Sequence, residues 1–472
     1  MNNHIDRRNF LRLLGTGAAA ASAGLLAGCS NKQASTATTS NANSSTEPTG
    51  EMTYRINPST GDRVSLLGYG CMRWPTRPKA DGSGTEVDQE TVNALVDYAI
   101  AHGVNYFDTA PVYVQGMSEK ATGIALHRYP RDKYFIATKQ SNLHADRPEW
   151  RTVDGARALL YQSMENLQVE YLDYYLLHGI GIGGMEELEN RYLNNGVMDL
   201  LLRERENGHI RNLGWSFHGD VKVFDWLLAH NDYYKWDFVQ IQLNYCDWKD
   251  ATGWNVNAEY LYNELHSRNI PVVIMEPLLG GRLASLNALP LAKLKAVRPD
   301  DNPASWAFRF SGTPEGVLTV LSGMTYMENL VENVRTFSPL DPVNDVEYAA
   351  LEEVKDWLLH SDFIPCTNCQ YCMPCPYGLD IPGVFAHYNR CVNDDHLAKS
   401  TQDPNYREAR RAFLVGYDRS VPKLRQAGHC INCGQCLRKC PQRIAIPTQM
   451  QRIDTYAEHL RQGTLIEEET TA

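Results

Sequence analysis

The side chains in this sequence that are best suited to chemistry are cysteines, and they are unevenly placed. Nine of the 12 cysteines lie after residue 365 of a 472-residue chain. Eight of them form two tight runs: Cys366, Cys369, Cys372 and Cys375, then Cys430, Cys433, Cys436 and Cys440. A disulfide framework would spread its cysteines differently in so large a protein, and structural zinc sites usually draw their thiolates from two separate pairs. We therefore expect the two runs to bind iron–sulfur clusters.

The second run has the Cys-x2-Cys-x2-Cys-x3-Cys-Pro spacing and resembles the bacterial ferredoxins. In that arrangement three closely spaced thiolates hold one 4Fe–4S cluster and the fourth reaches the other cluster. The predicted ligands of one cluster are Cys366, Cys369, Cys372 and Cys440, and those of the other are Cys375, Cys430, Cys433 and Cys436. The first run has only two residues before Cys375, so Cys391 is an alternative ligand. The segment between the runs is rich in helix formers, which predicts an α-helical ferredoxin-like domain.

A second group of reactive side chains follows short apolar runs earlier in the chain. Asp108, Lys139 and His178 each stand at the end of a separate run, and Tyr113 lies five residues after Asp108. Each of these residue types is common for structural reasons when it occurs alone. Together a phenol, a cation, a carboxylate and an imidazole can bind and protonate a carbonyl oxygen.

Eight apolar runs alternate with amphipathic helical patterns and predict an α/β fold, a closed (β/α)8 TIM barrel. The predicted strands are Val64–Leu67, Val104–Phe107, Tyr134–Thr138, Tyr171–Leu176, Asn212–Trp215, Phe238–Gln242, Pro271–Met275 and Val317–Leu321. An open doubly wound sheet would carry three glycines after its first strand, but Gly68 and Gly70 have no third. The carboxyl ends of barrel strands meet at one face, so we expect the four reactive side chains to lie together there.

With Asp108, Tyr113, Lys139 and His178 at these strand ends, the chain resembles the aldo/keto reductase family over roughly residues 52–337. The resemblance implies hydride transfer between NAD(H) or NADP(H) and a small carbonyl or alcohol substrate. Tyr113 is then the general acid, because a nearby Lys139 lowers a phenol pKa that is otherwise near ~10. Asp108 holds Lys139 in place, and His178 orients the substrate carbonyl.

The same resemblance implies where the nucleotide binds. The residues so assigned are Ser216, Gln240, Gly280, Gly281, Arg282, Glu332 and Asn333. Ser216 and Gln240 would hold the nicotinamide amide, the two glycines would admit the pyrophosphate, and Arg282 would pair with its charge. Family members often have Lys or Arg at the positions of Gly323 and Asn329 to bind a 2′-phosphate. Both are absent here, so the choice between NAD and NADP stays open.

The N-terminus predicts export. Arg7 and Arg8 precede a weakly apolar stretch that resembles a twin-arginine signal, and Leu26–Cys29 resembles a lipobox in which Cys29 is lipidated. Residues 1–29 are then the signal, 30–51 a flexible Ser/Thr/Asn-rich linker, 52–337 the barrel and 338–472 the iron–sulfur domain. We expect a periplasmic or cell-surface protein that meets the membrane only through this lipid anchor.

The net charge of the chain limits the classes of molecule that it is expected to bind. The formal net charge is −11, which disfavours nucleic acid, whereas a small-molecule substrate and a redox protein are the expected partners. The leading hypothesis is an enzyme that passes electrons between substrate, nucleotide and clusters. The alternative is an electron-relay or ligand-binding lipoprotein built on a non-catalytic barrel.

Overall fold

The computed structural model describes residues 48, 50–143, 147–250, 256–360, 362–440 and 442–466. The predicted signal, with Cys29, and most of the predicted linker lie outside the described residues. The described residues belong to one compact unit. Among the helices in these ranges, none combines the length and the apolar character needed to cross a membrane.

Eight parallel strands close into a barrel, which confirms the predicted fold class. The described strands, numbered in chain order, are β1 Tyr54–Ile56, β2 Arg63–Ser65, β3 Leu67–Gly70, β4 Thr76–Pro78, β5 Thr85–Val87, β6 Tyr106–Asp108, β7 Phe135–Gln140, β8 Leu172–Ile180, β9 Ile210–Phe217, β10 Phe238–Gln242, β11 Val272–Met275 and β12 Val317–Ser322. The barrel runs from β3 through β6 to β12, and β12 pairs with β3 to close it.

The first predicted strand was wrong in its placement. The apolar run at residues 64–67 spans two elements, because β2 ends at Ser65 and the barrel strand β3 begins at Leu67. Strand β2 pairs antiparallel with β1, which forms an N-terminal hairpin. Both elements bury apolar side chains, including Val64 and Leu67 at 0% exposure, so hydropathy alone does not mark the break between them.

Helices follow most barrel strands and cover the outside of the barrel. The described α-helices are α1 Gln89–Ala101, α2 Ser118–Leu126, α3 Val153–Leu167, α4 Gly184–Leu188, α5 Val197–Glu206, α6 Val221–Ala229, α7 Asn231–Tyr234, α8 Ala258–His266, α9 Ala288–Val297, α10 Pro303–Gly312, α11 Met327–Thr336, α12 Asp345–Leu359, α13 Ile381–Asn393, α14 Tyr406–Ser420 and α15 Ile446–Gln462. Polar side chains of Asp88, Thr152 and Asn302 accept hydrogen bonds from the first turns of α1, α3 and α10, and so fix where these helices begin.

The C-terminal region has its own core. Helix α12 begins with a capping box formed by Asn344 and Glu347, and its Leu351 still packs in the barrel core. A separate apolar cluster begins at Ile364 and gathers the buried faces of α13, α14 and α15. The two cysteine runs lie outside the α-helices, beside this second core. The helical character predicted for this region is therefore present.

The C-terminal region packs on the face of the barrel where the strands end. Gln442, next to the second cysteine run, donates a hydrogen bond to Gln242 at the end of β10 (3.3 Å). Asn393 of α13 donates to Ser285 in the loop after β11 (3.0 Å). The cysteine runs are thus brought to the same end of the barrel as the predicted catalytic side chains.

Candidate active site and cluster sites

Lys139 and Asp108 form a buried ion pair at the ends of neighbouring strands. Strands β6 and β7 pair in parallel, which brings Lys139 Nζ to 2.6 Å from Asp108 Oδ1 and 2.7 Å from the carbonyl oxygen of Thr109. Lys139 is 0% exposed and Asp108 is 3% exposed. Burial raises the pKa of Asp108 and lowers that of Lys139, whereas the charge of each partner acts in the opposite direction on the other. The pair is therefore held in place, as the sequence predicted.

Tyr113 lies beside this pair. Lys139 Nζ is 4.7 Å from the centroid of the Tyr113 ring. Val114 and Gln115, which follow Tyr113, both have left-handed backbone angles (φ 50° and 56°) and turn the chain sharply after it. Burial raises the pKa of Tyr113 well above its usual value, and Asp108 raises it further. The net shift is thus opposite to the lowering expected from Lys139, because the phenol is buried more deeply than the sequence suggested.

His178 completes the group. Its ring centroid lies 6.0 Å from that of Tyr113 in an edge-on arrangement. Ser141 Oγ is 2.7 Å from His178 Nδ1. This contact fixes the ring and leaves Nε2 toward the space beside Tyr113. The structure therefore brings all four predicted catalytic residues together.

Sequence reasoning missed Tyr371. This residue lies between Cys369 and Cys372 in the first cysteine run, yet its hydroxyl is 3.3 Å from His178 Nε2. Tyr371 also lies close enough to Tyr113 to lower its pKa against the effect of burial. From the sequence, an aromatic residue between two predicted cluster ligands is expected only to pack locally. Its spacing does not predict a contact with a histidine 193 residues earlier.

Five predicted nucleotide contacts lie at the ends of strands β9 to β11, and we call Ser216, Gln240, Gly280, Gly281 and Arg282 the nucleotide strip. Ser216 Oγ accepts a hydrogen bond from the amide of Gly179 (2.9 Å). Gln240 Nε2 is 3.3 Å from the sulfur of Met275. Gln240 Oε1 and Arg282 Nε have no hydrogen-bond partner within the described ranges, and these are polar atoms that a nucleotide could use.

The middle of the strip is already filled. The amide of Gly280 donates a hydrogen bond to Glu276 Oε2 (2.8 Å), so the chain's own carboxylate takes a donor expected for pyrophosphate. The backbone of Thr367 lies directly on Gly280, where even a Cβ atom would collide with it. As arranged here, the strip retains polar groups of a nucleotide site, and its Gly280 is in contact with Glu276 and Thr367.

The two remaining nucleotide residues follow β12. Asn333 is buried and donates a hydrogen bond to Ser322 Oγ (3.0 Å), so its amide has a structural partner. Glu332 accepts one from Asn302 (3.0 Å). The structure leaves the adenine-side role of both residues a prediction.

A cleft of about 1120 Å³ opens beside the catalytic group. Tyr113 and Trp74 contribute from the barrel side, and Cys369, Tyr371 and Arg425 contribute from the C-terminal region. A molecule in this cleft would meet the predicted proton donor on one wall and a predicted cluster ligand on the other.

The eight cysteines of the two runs form two groups. One cavity is lined by Cys366, Cys369, Cys372 and Cys440, and a second is lined by Cys375, Cys430, Cys433 and Cys436, with Cys372 between them. Burial raises the pKa of Cys366 to about 11, and the neighbouring Cys440 thiol contributes to this rise. Cys375 acts in the same direction on Cys436. The fourth cysteine of each run therefore lies with the other run, which is the crossed pattern that the spacing predicts.

These two groups fit 4Fe–4S clusters. Each supplies four thiols around a cavity, the donor set that a cubane requires. Over the residues that the structure describes, no three His, Cys, Asp or Glu side chains are grouped to hold a single metal ion. Cys391, the alternative ligand, is instead buried in α13, with its sulfur 3.6 Å from His387. Four thiolates in each cavity would hold a cluster that supplies or accepts electrons one at a time.

Comparison with known proteins gives two family matches and several relatives. Residues 66–356 match the aldo/keto reductase family, and residues 365–445 match the 4Fe–4S dicluster domain. The chain is 25% identical over 319 residues to L-galactose dehydrogenase of Arabidopsis thaliana, covering 63% of this chain and 91% of that protein. It is 27% identical over 179 residues to D-arabinose 1-dehydrogenase of Saccharomyces cerevisiae, covering 37% and 46% respectively.

Solved structures share the barrel. An aldo-keto reductase from Bacillus halodurans in its holo form aligns with a TM-score of 0.50 at 22% identity, over 64% of this chain and 96% of that one. An aldo/keto reductase from Klebsiella pneumoniae in complex with NADP and acetate aligns with a TM-score of 0.50 at 20% identity, over 65% and 95%. At this identity the likeness shows the fold alone. Because the family match spans more than half of its 472 residues, this chain belongs to the aldo/keto reductase family.

Proposed function

We propose that this chain is an oxidoreductase that interconverts a carbonyl and an alcohol beside Tyr113, with two 4Fe–4S clusters as its electron carriers. The observation that carries the proposal is the buried group of Asp108, Tyr113, Lys139 and His178, whose Tyr113 lines one cleft together with the predicted cluster ligand Cys369. The intact group argues against an electron-relay or ligand-binding protein on a non-catalytic barrel.

In this proposal the four residues together transfer one proton between Tyr113 and the substrate oxygen. Tyr113 gives its proton to the substrate oxygen during reduction and takes it back during oxidation. Lys139, held by Asp108, keeps a positive charge 4.7 Å from the Tyr113 ring, where it stabilises the phenolate that forms transiently. His178, fixed by Ser141 at Nδ1, contacts the Tyr371 hydroxyl through Nε2 and so holds Tyr371 beside Tyr113.

The reaction is balanced by two electrons and two protons. An alcohol that becomes a carbonyl releases both, and a carbonyl that becomes an alcohol consumes both. The relatives named L-galactose dehydrogenase and D-arabinose 1-dehydrogenase make aldoses the first substrates to test. NAD(H) or NADP(H) as hydride carrier is what family membership favours, and for this chain it stays a prediction. No step of the proposal requires a nucleotide.

The test uses anaerobically purified full-length protein and a panel of aldoses, aldehydes and alcohols. We expect an active substrate to change the visible absorbance of the clusters, and Tyr113→Phe to slow this change by ~10²–10⁴-fold. Tyr161→Phe is the matched control, because Tyr161 is 40% exposed on helix α3. The proposal fails if Tyr113→Phe, with a normal iron content, reacts as fast as the control.

We also propose that the chain is exported by the twin-arginine route and anchored through Cys29. The support is the sequence pattern of Arg7, Arg8 and Leu26–Cys29. The twin-arginine route accepts folded proteins, which suits a chain that binds its clusters before export.

A further inference from the structure

We propose that the loop of residues 366–372 takes the place of the nicotinamide nucleotide in this chain, so that the site works without a bound nucleotide. The inference rests on the proposed function for its substrate chemistry. Its own evidence is that the loop and the Glu276 carboxyl occupy the strip at Gly280, and that the loop also reaches the catalytic group.

The first point is the place expected for the pyrophosphate. A phosphate needs free backbone amides and nearby positive charge. Here the Gly280 amide donates a hydrogen bond to Glu276 Oε2 (2.8 Å), so a carboxyl group of the chain already uses this donor. A nucleotide would have to break this bond and place its two negative charges against the Glu276 side chain.

The second point is space. Thr367 lies against Gly280 with its backbone, and only a residue without a side chain allows this approach. Arg73 Nη2 donates to the carbonyl oxygen of Thr367 (2.8 Å) and ties the loop to the barrel. Burial raises the pKa of Glu276, and Arg73, which is bound to the loop, opposes this rise without cancelling it. The side chains of Arg73 and Glu276 are therefore both engaged where the loop meets the barrel.

The third point is the position that the substrate oxygen would take beside Tyr113 and His178. In hydride transfer the substrate oxygen must lie between Tyr113 and His178 Nε2, with the nicotinamide beside it. The Tyr371 hydroxyl holds this position, 3.3 Å from His178 Nε2 and close to Tyr113. A substrate therefore reaches Tyr113 from the adjoining cleft, whose walls include Tyr371 and Cys369.

It follows that the electrons must be exchanged with a one-electron carrier. For reduction of a carbonyl, two electrons come singly from a reduced redox protein, and two protons come from solvent, one of them through Tyr113. For oxidation of an alcohol the same electrons and protons leave by these routes. This arrangement also removes the need for a soluble nucleotide in an exported enzyme.

The experiment is a nucleotide titration of the anaerobically purified full chain, whose clusters are first verified by electron paramagnetic resonance. NADH and NADPH are added separately, and nicotinamide fluorescence and cluster absorbance are followed together. A known NADP-binding aldo/keto reductase serves as the positive control for the fluorescence signal. We expect no saturation below about 1 mM, a binding free energy weaker than about −4 kcal/mol. We also expect the clusters to be reduced by dithionite but not by either nucleotide.

Micromolar, saturable binding of either nucleotide overturns the inference, as does cluster reduction by NADH or NADPH. Stoichiometric nucleotide released from the protein on denaturation overturns it as well. The proposed function is tested separately by Tyr113→Phe, because that variant reports on substrate turnover, and nucleotide exclusion does not depend on its phenol. A chain that turns over substrate and binds NADPH tightly would therefore refute only the inference.

Discussion

Replacing Lys139 with methionine should destabilise the barrel strongly, because it leaves a buried carboxylate without its cation. In the native protein Lys139 Nζ lies 2.6 Å from Asp108, and both side chains are almost fully buried. Removing one partner of a buried ion pair typically costs 3–5 kcal/mol. We expect Lys139→Met to fall within about this range, since the carbonyl of Thr109 also loses its hydrogen bond.

The loss of folding stability in Lys139→Met should become larger as the pH rises. Burial already raises the Asp108 pKa, and Lys139 is its main opposing influence, so the variant raises that pKa further. A carboxyl whose pKa is higher in the folded than in the unfolded state favours folding most below its unfolded pKa, which is near ~3.9. Its contribution is lost as the pH rises through the folded value. The deficit of Lys139→Met should therefore grow from pH 5 toward pH 8, by up to about 1.4 kcal/mol per pH unit.

Denaturant unfolding under anaerobic conditions measures this, with fluorescence of the buried barrel residues Trp215 and Trp306 as the signal. The matched control is the double variant that adds Asp108→Asn, which removes the stranded charge while keeping the shape. We expect it to be more stable than Lys139→Met alone at pH 8, and equally inactive. A Lys139→Met protein as stable as the wild type, or a double variant that is less stable still, would refute the buried-pair reasoning.

Three further outcomes are expected. Cys433→Ser should lose about half of roughly eight iron atoms per chain while Cys391→Ser keeps them all, and iron analysis giving the reverse would exclude Cys433 as a cluster ligand in favour of Cys391. Burial lowers the pKa of His387, whose Nε2 contacts the carbonyl of Phe413 (3.0 Å), from 6.5 to about 4. The neutral ring therefore favours folding above pH 6.5, and about 2 kcal/mol of stability should disappear between pH 7.5 and 5 in the wild type but not in His387→Gln. Equal pH slopes in unfolding experiments would contradict this. Cys29→Ser should move the protein from the membrane to the soluble fraction of cells, and unchanged fractionation would argue against the lipid anchor.

Much of the fold follows from periodicity in the sequence. The run Phe238–Gln242 gives strand β10 with the same bounds, because its apolar residues Phe238, Val239 and Ile241 are fully buried in the barrel. The pattern at Val153–Leu167 likewise gives helix α3, with Thr152 as its cap. Strand β3 was misplaced because two consecutive elements bury the same kind of residue.

In the candidate active site, only the residues that the barrel contributes could be predicted from the sequence. Residues at strand ends converge by geometry, so Asp108 and Lys139 could be paired from the sequence. The contacts of Tyr371 and Thr367 depend on how a second domain docks, and no local pattern encodes docking. The pKa direction of Tyr113 was missed for the same reason, because the docked loop adds to its burial.

The position of Tyr371 between two cluster ligands links catalysis to assembly. Cys369 lies two residues before Tyr371, and Cys372 follows it directly. Binding of these two thiolates to iron would therefore fix the path of the loop. A chain that folds without iron would keep its barrel residues but would lack the constraint that holds this tyrosine against His178. Under the proposed function, binding of this cluster and placement of Tyr371 beside His178 would therefore occur together.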